Sequence, residues 1–153
     1  MKSFYESLVD WKLKTDYLWC SPNFHGRVHY DCVIVHGVNH DFFAWLLFIF
    51  TYKLGEHDLP FALIQPFADV HHQHKRCKKD QELCFHWLWA KNQGHSVFIN
   101  LKSIFCGAFL VPALDRQDEY IIVDVVDTDM FLQIQNMYPE VWITFPLVLL
   151  FTF

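Results

Sequence analysis

Residues 70–86 read VHHQHKRCKKDQELCFH, which sets four histidines and two cysteines within seventeen positions. Imidazole nitrogens and thiolates are the donors that zinc takes, so the first chemistry to weigh is a site built from His74, Cys77, Cys84 and His86. Structural zinc prefers tight ligand pairs, whereas here a His-x2-Cys pair and a Cys-x-His pair stand six residues apart. The spacing fits better an exposed, basic, histidine-rich loop over 71–81, followed by a strand that carries Cys84 and His86 on one face. In that loop Lys75, Arg76, Lys78 and Lys79 form a basic patch that can touch phosphates in a salt-sensitive, sequence-blind way.

A second cluster is acidic. Asp124, Asp127 and Asp129 could hold a hard cation, but strand alternation sends Asp124 and Asp127 to opposite faces. Asp127 and Asp129 are explained as helix-start residues, which leaves Asp124 as a carboxylate set among Ile and Val. No G-x-S-x-G, P-loop or G-x-G-x-x-G occurs, and no Cys/His dyad has a specific spacing. Trp45, Trp87, Trp89 and Tyr120 could line a groove or a cage for a methylated lysine or a peptide; aromatic residues on strands also serve as core. The residues therefore specify no catalytic site, cofactor or small-molecule substrate.

The elements that must position these groups read mainly as strands. Hydrophobic residues make up 53% of the 153 positions and aromatic residues 18%, including sixteen Phe and six Trp, which suits a single β-rich core and excludes disorder. A formal charge of −5 argues against a free-standing nucleic-acid binder, although the basic patch survives that total. Five cysteines, odd in number and irregular in spacing, and no visible secretory leader imply free thiols in a reducing, intracellular compartment. The apolar runs 42–50 and 141–153 fall short of the ~20 residues of a spanning helix, so no membrane anchor is expected.

Along the chain, 1–24 reads as a peripheral segment with a helix-capable piece over 3–13. A single β-rich domain over 25–138 follows, and 139–153 is an apolar tail unrelated to it. Strands are expected at 27–37, with Val28, Tyr30, Cys32 and Ile34 on one face, and at 42–55, apolar on both faces. A short or marginal strand bracketed by Pro60 and Pro66 comes next, then one at 82–90. The stretch 96–114 holds two strands with a break near Asn100 to Ser103, and Gly107 suggests a bulge or a barrel corner. A strand at 119–127 and a short helix at 128–138 complete the pattern. The expected fold is mainly β: a small curved antiparallel barrel or half-open sheet, with a short helix after the last strand and a peripheral N-terminal helix.

Three phrases carry a resemblance. "DFFAWLLFIF…LPFALIQPF", then "KKDQELCFHWLWAK", then "FINLKSIFCGAFLVPALDRQDEYIIVDVVDTDMFLQI" resemble, in order and spacing, the C-terminal region of fungal Plavaka-type transposase-like proteins over about residues 27–136. The family's catalytic acidic residues lie upstream of this region, so the resemblance implies a domain without catalysis of its own and carries no catalytic residue onto this chain. For the fold, the resemblance implies a barrel of the SH3 or BAH kind. Cys106 and Gln133 stand where the family usually has arginine. The resemblance implies a nuclear remnant of a transposon-encoded protein, an accessory interaction module whose partners are other domains of a longer transposase-like protein, or chromatin and DNA. Two rival readings stay open: a nucleic-acid or chromatin-peptide binder using Lys75, Arg76, Lys78 and Lys79, and a zinc module using His74, Cys77, Cys84 and His86. The tail after residue 138 matches nothing in the family and resembles translation past a domain end, as in a decayed gene copy.

Overall fold

A computed structural model describes residues 1–69, 85–114, 116–124 and 128–139. The organising element is a hairpin of two thirteen-residue strands, β6 (Phe42–Leu54) and β7 (His57–Asp69). Gly55, at φ 65°, opens the two-residue turn between them, a position where a side chain would be strained. β6 is long because aromatic, aliphatic and β-branched residues continue through it without a turn signal, and β7 pairs along it from His57 to Pro66.

Around this hairpin the main sheet runs in the order β10-β5-β6-β7-β8-β12-β11, where β5 is Cys32–Val35, β8 Trp87–Ala90, β10 Ile104–Ala108, β11 Leu110–Pro112 and β12 Glu119–Ile122. The two edge strands, β10 and β11, are successive in the chain and separated only by Phe109. One bent segment therefore belongs to both edges, and the sheet rolls into a nearly closed antiparallel barrel. A further strand, β9 (Val97–Asn100), pairs with β7 at Phe61–Ile64, and a 3-10 turn over Leu101–Ser103 makes the break expected from the sequence.

Two cores lie on opposite faces of β5–β7. The inner one holds Cys32, Ile34, Phe43, Phe67, Leu88, Cys106 and Ile122, and a helix, α1 (Thr128–Met137), seals it with Met130 and Ile134. The outer one holds Val33, Val35, Ala44, Leu46, Ala62, Ile64 and Ile104 beneath Leu18. All four residues of β5 are buried for this reason, so the one-sided alternation expected through 27–37 stops at Asp31. A bulge between Ile104 and Cys106 lets one strand feed both cores.

Several expectations are corrected. The helix-capable piece at 3–13 is a pair of strands, β1 (Lys2–Glu6) and β2 (Leu13–Tyr17), joined through Ser7–Lys12. Alternation of Ser3 and Tyr5 toward the barrel decides this over helix propensity; Ser3 Oγ donates to the Phe105 carbonyl at 2.6 Å. A second hairpin, β3 (Cys20–Phe24) with β4 (Arg27–Tyr30), turns at His25 and Gly26, both at positive φ. The strand at 59–67 is neither short nor marginal. Its prolines are tolerated because β9 pairs at Phe61–Ile64 and β8 at Phe67–Asp69, which leaves Pro60 and Pro66 unpartnered on the side away from β6. Gly107 is no bulge residue: a Cβ there would lie 3.0 Å from Leu18 Cδ2, so the glycine admits the N-terminal segment to the barrel wall.

Candidate docking surface

The sequence-derived site residues divide between the described residues and those outside them. His74, Lys75, Arg76, Cys77, Lys78, Lys79 and Cys84 lie outside the described residues, as does Asp127. His86 is described, and it is a core residue: it is buried, and its ring stacks on Tyr138 with centroids 4.7 Å apart. Among the described residues no group of three or more His, Cys, Asp or Glu comes together as a metal site.

Asp129 does more than face the helix dipole. Its Oδ1 accepts from Ser7 Oγ at 2.9 Å, from the Leu8 amide at 2.8 Å and from the Val9 amide at 3.3 Å, so it latches α1 to the loop between β1 and β2. Asp16 and Asp31 line a recess of about 240 Å³ at the barrel seam, with Tyr17 and Phe109 among its walls. Both carboxylates are already engaged. Asp16 accepts from the Gly107 amide at 2.8 Å, and Asp31 accepts from the Trp19 amide at 2.7 Å and pairs with His29 at 3.1 Å.

Of the four candidate cage aromatics, the structure brings two together. Trp45 and Tyr120 meet at 5.4 Å between centroids, and Phe67 joins them at 5.2 Å and 5.6 Å. At these spacings the rings touch one another in edge and tilted contacts, which is core packing, with no space between them for a cation. Trp87 instead lies under the Arg116 guanidinium, 4.8 Å from its ring centroid, while Arg116 also pairs with Glu119 at 3.1 Å. Trp89 is on that same face, since Trp87 and Trp89 sit opposite Ile121 and Glu119 of β12.

Burial pushes the Cys32 thiol far above its ordinary range and raises Cys20 as well. Neither is a prepared nucleophile, because reactive thiols need the opposite shift. Burial also raises Tyr120, with the Asp118 charge adding to it.

The surface that stands out is one the sequence reading did not single out. The outer half of the β6–β7 hairpin forms, with β9 beside it, a three-stranded arm whose one side packs with Met1, Leu18 and Cys20 and whose β6 is met by β3 and β4. Register places Phe48, Phe50, Tyr52 and Leu54 of β6 beside Leu63, Phe61, Leu59 and His57 of β7, and Phe98 of β9 beside Leu63. Phe50 stacks on Phe48 at 6.1 Å and on Phe61 at 5.9 Å, and meets Phe98 edge-on at 5.6 Å. Phe48, Tyr52, Leu54 and Phe98 are each more than half exposed, at 55%, 54%, 58% and 66%. Pairing across the strands puts Lys53 and Asp58 together on the opposite face. The apolar face thus carries no lysine, arginine or carboxylate.

This face continues the inner side of the barrel. A bulge between Leu46 and Phe48 shifts the alternation, so that Ile49 and Ile99 join the outer core while the phenylalanines keep the inner orientation. A signal for it was present in the sequence: within FIFTYKL, Thr51 and Lys53 alternate with Phe48, Phe50, Tyr52 and Leu54, the mark of a strand with one apolar face. Comparison of the chain with protein-family models, with curated proteins and with solved structures finds no match.

Proposed function

We propose that this chain is an accessory interaction module, a β-domain that docks a protein partner on the apolar face of its β6–β7–β9 arm. One observation carries the reading: Phe48, Tyr52, Leu54 and Phe98, each more than half exposed, form with the half-buried Phe50 and Phe61 one apolar face. Contiguous exposed apolar surface of this kind marks interaction sites on folded proteins. A face without cations suits a protein partner rather than a phosphate backbone. The resemblance of residues 27–136 to Plavaka-type transposase-like proteins supplies the context: a C-terminal, non-catalytic remnant of a transposon-encoded protein, acting in the nucleus beside domains that this chain does not contain.

The test is site-specific photocrosslinking in cells that express the chain, with benzoylphenylalanine replacing Phe48, Phe98 or, as a control, the fully exposed Val38. Defined adducts at 48 and 98 and none at 38 are expected. No adduct at 48 or 98, or the same adducts at all three positions, overturns the reading.

A further inference from the structure

We infer that the partner on this face is a second copy of the chain, packed arm on arm about a two-fold axis. The inference rests on the docking role proposed above and names its occupant. Taking about 200 Å² for a whole ring, the exposed parts of the arm's apolar side chains offer roughly 600 Å² per chain. That meets the lower end of the ~600–1,000 Å² each partner contributes to a specific, stable interface.

Homodimer interfaces are more apolar than transient ones, and this face has only the Tyr52 hydroxyl, the His57 ring and the Asn100 amide as polar side-chain groups at its margins. A partner must match it with equally uncharged surface, and the arm's own face meets that requirement. Two sheet faces stack about 10 Å apart with their side chains interdigitating. A line of rings along one arm supplies knobs for the gaps in the same line of a two-fold-related copy, as an isologous contact requires. Lys53 and Asp58 are cross-strand neighbours on the far face, so the pairing buries neither charge.

Sedimentation velocity of the full chain across a concentration series tests this. A dimer is expected for the wild type, with dissociation constants weakened at least ~100-fold in Phe48→Glu and in Phe98→Glu, because either change buries an unpaired carboxylate. Both side chains are more than half exposed, so each variant should keep the wild-type circular dichroism and unfolding midpoint; Tyr52→Glu serves as a third probe should one of them fail to fold. A wild-type monomer at every concentration overturns the inference, as does a dimer that survives the glutamates. Crosslinked adducts at 48 and 98 heavier than two chains, alongside a monomer in sedimentation, would overturn the second copy as occupant and leave the docking reading standing. Absence of adducts removes both.

Discussion

Asp129→Ala tests whether the N-terminal strands belong to the fold. Asp129 Oδ1 receives three hydrogen bonds, from Ser7 Oγ, the Leu8 amide and the Val9 amide. Hydrogen bonds to a charged group contribute about 1.5–3 kcal/mol each. The Val9 contact is long and exposed, so it adds little. Ser7 is fully buried and Leu8 partly so, and alanine leaves both donors without this acceptor. Allowing for water that reaches the half-buried side, the expected loss is about 2–4 kcal/mol, a large part of the ~5–15 kcal/mol that stabilises a domain. Asp129→Asn keeps an oxygen acceptor but loses the charge and its favourable place in the first helical turn, so about 1 kcal/mol is expected. Ser7→Ala combined with Asp129→Ala should show a coupling of about 1–2 kcal/mol, since the two groups touch. Urea unfolding followed by tryptophan fluorescence measures all five proteins, Ser7→Ala alone included. An Asp129→Ala midpoint within error of wild type, or a coupling near zero, would show that the latch does not hold the helix and that the N-terminal strands are an accessory.

Two further outcomes follow from the same packing. Gly107→Ala should cost less than ~1 kcal/mol, because the atom it meets is the end of the Leu18 side chain, whereas Gly107→Val should cost about 1–3 kcal/mol by overpacking the wall; equal midpoints for both would refute the close approach. Alkaline pH should destabilise the protein through Cys32. The unfolded thiol ionises near its ordinary value of 9.0 while burial keeps the folded thiol protonated, so the folded state holds the extra proton and stability falls as pH rises through that value, by up to ~1.4 kcal/mol per pH unit. Cys32→Ala should flatten this fall between pH 8 and 10 in urea midpoints, and an unchanged slope would refute the assignment.

Periodicity made much of the barrel legible. The strand at 42–55, the break at Asn100 to Ser103 and the helix after the last strand follow from local pattern and breakers, which act over a few residues. The cover expected on both faces of that strand, however, ends before residues 51–54, which are exposed. What could not be read depends on contacts far apart in sequence. Ser3 meets Phe105 and Ser7 meets Asp129, so the β1–β2 pair is anchored by hydrogen bonds to partners more than a hundred residues away, and a local helix preference loses. Pro60 and Pro66 misled for the same reason: a proline is a strand breaker only where a neighbour needs its missing amide, and the neighbours of β7 skip both. The candidate cage was half legible. Trp45 and Tyr120 do meet, but Phe67 comes between strands to fill the space a ligand would need.

The exposed arm follows from unequal strand lengths. At about 3.3 Å per residue, thirteen-residue strands run roughly 43 Å, while β5 and β8, each of four residues, cover about 13 Å. A barrel built on such a hairpin must overhang. Side-chain direction is set by the pleat and not by what lies opposite, so the overhang keeps the residue types of an interior wall after the wall facing it has ended. An overhang needed only for closing the barrel could carry threonine and lysine on both faces. This one confines Thr51, Lys53 and Asp58 to one face and gives the other to Phe48, Phe50, Tyr52, Leu54 and Phe61. That second face keeps the orientation of the inner core beyond the shorter strands, and it is the surface on which the proposed partner would dock.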